Sequence, residues 1–84
     1  MKNSTLYALF VHAVLIEDDI GEVELTQKLL ERMQGNKVKE VRRMLDVVGR
    51  LYSLYRDGLI EEPDTSIIKQ AILERLIEEE VQNV

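Results

Sequence analysis

The sequence predicts an all-α fold, a small bundle of four helices that is partly helix-turn-helix-like and dimeric. Apolar residues recur with a helical period in separate stretches. The most apolar stretch shows no period-two alternation, and Gly, Pro or Asp/Asn clusters punctuate the chain between stretches.

Asn3 or Ser4 can cap a first helix running from about Thr5 to Glu17. Its middle, Leu6 to Ile16, is apolar all round except for His12. That pattern predicts a helix buried on all sides, at the centre of the domain or in a subunit interface. His12 lies near Leu9 and Ile16 on this helix and reads as a hydrogen-bonded core residue rather than a catalyst or ligand. Asp18-Asp19-Ile20-Gly21 reads as a connector, with Gly21 relaxing the backbone.

A second helix follows from about Glu22 to Met33, with acids in its first turn and Lys28 and Arg32 in its last, as the helix dipole favours. Leu25, Leu29, Leu30 and Met33, with Val23, form a narrow stripe, so one face is expected to be wet. Gln34-Gly35-Asn36 is a turn in which Asn36 can cap the next helix.

The longest periodic stretch is Asn36 to Gly58. Val38, Val41, Met44, Leu45, Val48, Leu51, Tyr52 and Tyr55 fall on one arc roughly 140° wide, broad for a helix with a single wet face. Val47 and Leu54 widen it, while Lys39, Arg43 and Arg50 share the opposite side with Asp46 and Asp57. Gly58 suits the left-handed position just past a helix, from which Leu59 can fold back on the last turn.

Pro63 disfavours helix before it, and Asp64 or Thr65 can cap a last helix from about Thr65 to Val81. Ile68, Ile72 and Leu76 make one stripe on it, and Leu73, Ile77 and Val81 make another. Glu78-Glu79-Glu80 opposes the helix dipole and is expected to fray into solvent.

Eighty-four residues suffice for one domain, and a chain this short buries only about 60–65% of its unfolded surface. Disulfides, a metal or a partner usually add what such a core lacks. Without cysteine a disulfide framework and thiolate metal sites are excluded, and with His12 as the one histidine a zinc site would need carboxylates for most of its ligands, which is uncommon. Absence of cysteine also fits a reducing cytoplasm, the expected location. The run Leu6 to Ile16 is about half the length of a bilayer span, and an acidic cluster follows it where a signal peptide has its cleavage site.

The net charge of −5 argues against wholesale binding to anionic polymers or membranes, but the charge is unevenly placed. Between Thr26 and Arg56 eight basic residues stand against three acidic ones, so the flanks are strongly acidic.

Catalytic parts are missing from the pattern. The four glycines are isolated, so there is no phosphate-binding loop. Ser4, Ser53 and Ser66 have only His12 as a base, and no Glu-x-x-His motif occurs. A non-enzymatic protein with no cofactor and no metal is expected.

Two features point to function. Tyr52 to Glu62, following two helices joined by a short turn, resembles the end of a recognition helix running into Gly-Leu-Ile in winged-helix DNA-binding domains. The resemblance covers about Glu22 to Glu62. It implies that Lys39, Arg42, Arg43 and Arg50 meet phosphates or guanine edges. Glu61-Glu62-Pro63-Asp64, however, occupies the place of a basic wing. The second feature is surplus apolar helix surface. Gly49 and Ser53, spaced i,i+4, would admit another helix, and Ile68, Ile72, Leu73 and Ile77 would supply an interface. The expectation is a regulatory or adaptor protein acting through protein–protein contacts as a homodimer, with Lys39, Arg42, Arg43 and Arg50 facing an acidic partner. DNA binding is the alternative.

Overall fold

Four helices form in the computed structural model, which describes residues 1–77: α1 (Asn3–Leu15), α2 (Asp19–Leu30), α3 (Val38–Arg56) and α4 (Ser66–Glu74). Among the described residues there is no strand, only an isolated antiparallel bridge between Met33 and Leu76. The expectations for Glu78-Glu79-Glu80 and Val81 lie outside the described residues.

α1 and α3 each pack against all three other helices, whereas α2 and α4 do not touch one another. The central pair therefore carries most of the core. Leu6, Phe10 and Val14 from α1 meet Val41, Leu45 and Val48 from α3, with Leu29 and Ile72 supplied by the flanking helices; each is under 2% or at most 2% exposed. The i, i+4, i+7 spacing of Val41, Leu45 and Val48 is the apolar arc read in the sequence. Its edges are less covered, for Val38 and Val47 are each 43% exposed.

Two helix ends use the same device. At the end of α3, Gly58 takes a φ of +78°, its N–H bonds the Tyr55 carbonyl, and the Leu59 N–H bonds the Leu54 carbonyl at 2.9 Å. These are the paired bonds of a left-handed cap. The Leu59 side chain does not close over the last turn; it is exposed. At the end of α1 the left-handed residue is Glu17, at φ +58°, with the Asp18 N–H bonded to the Ala13 carbonyl at 2.9 Å.

Helix starts depart from the expected caps. Asp18 accepts from the Gly21 N–H at 2.9 Å, so Asp18 to Gly21 opens α2 instead of connecting to it. Lys37, not Asn36, stands at the N-cap of α3, with no side-chain bond. Asp64 Oδ1 accepts from the Ser66 N–H and hydroxyl just ahead of α4. Asn3 caps nothing. It is buried, donating from Nδ2 to the Ile77 carbonyl at 2.9 Å and accepting from Arg32 Nη1 at 3.0 Å.

Arg32 also donates to the Met1 carbonyl, Gln34 N–H bonds the Arg75 carbonyl, and Gln34 Nε2 bonds the Leu76 carbonyl at 3.0 Å. The first residues, the turn after α2 and the residues after α4 are thus one hydrogen-bonded clasp. It gives hydrogen-bond partners to the carbonyls of Met1, Arg75, Leu76 and Ile77, which lie outside the helices.

Candidate interaction surfaces

α1 is not buried on all sides. Thr5, Ala8, Leu9, His12 and Ile16 are exposed along one side of it, and His12 faces solvent rather than sitting in the core. A uniformly apolar stretch carries no phase, so its wet side could not be read from periodicity.

The outer face of α3 is basic. Lys39, Arg42, Arg43 and Arg50 are all exposed, and none forms an ion pair among the described residues. The ion pairs lie elsewhere: Arg75 Nη2 to Glu40 at 3.0 Å, and Arg56 Nε to Glu17 at 3.4 Å and to Asp57 at 3.1 Å. Arg75 holds the Glu40 carboxyl below its usual range, chiefly through their hydrogen bond. Glu40 is thereby engaged away from the basic ridge.

The expected interface residues divide. Gly49 is buried inside the chain, because a Cβ there would meet Glu22 Oε2 at 3.5 Å, Phe10 Cζ at 3.6 Å and Val14 Cγ2 at 4.0 Å. The neighbours at that position come from α1 and α2 of the same chain. Ile72 is fully buried in the core, and Ile68 and Leu73 pack against that core. Ser53 is half-buried, and Ile77 is exposed.

Other apolar side chains stand out instead. Ile20 and Val23 on α2 are 75% and 68% exposed, and Ile67 on α4 is 84% exposed. Val23 had the spacing of the α2 core stripe but lies outside it. The i, i+3 spacing of Ile20 and Val23 was the available signal, hidden because Ile20 read as part of a connector.

A groove beside the start of α4 gathers hydroxyl groups. Tyr52 and Thr65 lie 3.2 Å apart, oxygen to oxygen, and Lys69 Nζ sits 5.7 Å from the centre of the Tyr7 ring. Tyr7 is buried, and its hydroxyl has no hydrogen-bond partner among the described residues. Burial raises its pKa; the nearby Thr65 hydroxyl works against that rise and Tyr52 adds to it. Thr65 bonds Tyr52 at 3.2 Å, and no bond within hydrogen-bond geometry joins it to Tyr7.

Among the described residues no group of acidic, histidine or cysteine side chains could hold a metal ion, and no helix is long and apolar enough to cross a membrane. Compared with protein-family models, curated proteins and solved structures, the chain matches none.

Proposed function

We propose that this chain is a non-enzymatic regulatory or adaptor module that works as a helical homodimer through protein–protein contacts. The observation that carries this reading is the apolar surface left uncovered on α2 and α4, at Ile20, Val23 and Ile67. Exposed apolar groups gathered on helices are what association removes from water. The basic face of α3, without ion pairs among the described residues, supports a partner, or a partner surface, of acidic character. Sedimentation at micromolar concentration should give the dimer mass, and the unfolding midpoint should rise with protein concentration. A monomer mass with a concentration-independent midpoint sinks the dimer. The Lys39/Arg42/Arg43/Arg50 quadruple Ala variant should lose this association while keeping its helix content, because all four side chains are exposed.

A DNA-binding regulator is the second reading, favoured by four exposed cations on α3 that form no ion pair among the described residues. Against it, no strand forms a wing among the described residues, and Glu61, Glu62 and Asp64 are exposed after Gly58. Binding to mixed duplex DNA across a salt series separates the readings. The protein-contact reading expects affinity no better than roughly 0.1 mM near physiological salt. A salt-dependent, sequence-selective affinity below roughly 0.1 µM would reverse the order.

A further inference from the structure

We infer that the homodimer is built by docking the outer face of α2 in one copy onto the outer face of α3 in the other, reciprocally. This rests on the homodimeric reading above and names the surfaces that make it. Ile20, Glu24, Gln27 and Glu31 are all exposed and follow one another at i, i+4, i+7 and i+11, so they form a single line along α2 and its C-cap, with Val23 beside it. On α3, Lys39, Arg43, Val47 and Arg50 are exposed at i, i+4, i+8 and i+11. The two lines have the same helical period, opposite charge and an apolar element each.

The division of labour follows from magnitudes. Exposed ion pairs contribute about 0–1 kcal/mol apiece, so the charges set register and exclude wrong pairings. Covering Ile20, Val23 and Val47 supplies the driving force. Lys28 on α2 and Asp46 on α3 are exposed residues of the opposite sign, while Glu40 is held by Arg75. A one-way contact of this kind would string copies into a chain; the reciprocal contact closes after two.

The test is charge reversal in the full-length chain, read by sedimentation at a concentration where the parent is a dimer. E24K/E31K places basic against basic in its own dimer, and R43E/R50E places acidic against acidic. Each alone should be monomeric, with helix content unchanged because all four positions are exposed. Mixed in equal amounts they present complementary surfaces at both contacts, and the dimer mass should return. For the parent, raising NaCl from about 0.05 to 0.5 M should weaken the dimer about tenfold. A parent dimer unmoved by both reversals overturns the assigned surfaces and leaves the homodimer standing, as does a mixture that stays monomeric. A parent that is itself monomeric overturns both.

Discussion

Arg56 Nη1 donates to the Val14 carbonyl over 2.7 Å, joining the last turn of α3 to the last turn of α1. The Val14 carbonyl, which also accepts from the Glu17 N–H at 3.2 Å, lies at a helix end, where the dipole is negative and a cation is favoured. The same guanidinium stands 3.4 Å from Glu17, the residue that turns the chain out of α1.

Glu17 makes that turn against its own preference. A side chain in the left-handed region costs roughly 1–2 kcal/mol, and glycine returns part of any gain through unfolded-state entropy. Glu17→Gly should therefore stabilise the protein by about 0.5–1 kcal/mol, since the exposed ion pair that it removes contributes little. Urea unfolding checks this, and a midpoint at or below the parent's would count against the strain.

Gly49 sits mid-helix with room for a methyl group but not for more, given contacts of 3.5 and 3.6 Å to Glu22 and Phe10 at a Cβ position. Gly49→Ala is expected to add about 0.5–1 kcal/mol from helix propensity, and Gly49→Val to cost about 1–3 kcal/mol from overpacking. Its neighbour Val48 is fully buried, so Val48→Asp should cost about 4 kcal/mol or more and leave little folded protein by circular dichroism.

The two tyrosines of the groove should respond differently to losing a hydroxyl. Tyr7→Phe removes a buried polar atom without a hydrogen bond and should be neutral or stabilising. Tyr52→Phe breaks the bond to buried Thr65 and should cost about 1 kcal/mol. Thermal unfolding of both variants under one buffer decides it; equal losses would mean that Tyr7 is bonded after all.

Burial raises the Glu22 carboxyl above its ordinary 4.5, with Asp19 and Asp46 adding to the rise and Arg56 opposing it. A carboxyl with a raised folded pKa favours the folded state below its unfolded value, and that contribution is lost as pH rises through the folded one. Glu22→Gln should thus match the parent below about pH 4 and exceed it in stability at pH 7. A gain that is the same at both pH values would place its cause outside titration.

The sequence made α3 legible because its apolar arc and Gly58 agree with one another, and both reappear in the buried face and the left-handed cap. Lys39, Arg43 and Arg50 are exposed for the same reason: they lie across the helix from that arc, with Arg42 just outside its edge. α1 resisted phasing because its apolar residues have no polar counterpart except His12. The start of α2 was hidden by Gly21, whose weak helix preference is offset by the Asp18 carboxylate on its N–H. Gly49 lies against Glu22 of α2 and Phe10 and Val14 of α1, and nothing local to it distinguishes neighbours in the same chain from a helix of a second copy. No pattern joins Asn3 to Arg32 and Ile77, which meet only after the helices have packed.

That last contact has a kinetic meaning. The bond from Asn3 to the Ile77 carbonyl spans 74 positions, so closing it early would cost far more chain entropy than one hydrogen bond returns. It belongs to the native side of the folding barrier. Asn3→Ala should then leave the refolding arm of a stopped-flow chevron in place and shift the unfolding arm upward. The clasp would act as a latch on the finished molecule, governing how long it stays shut rather than how quickly it forms.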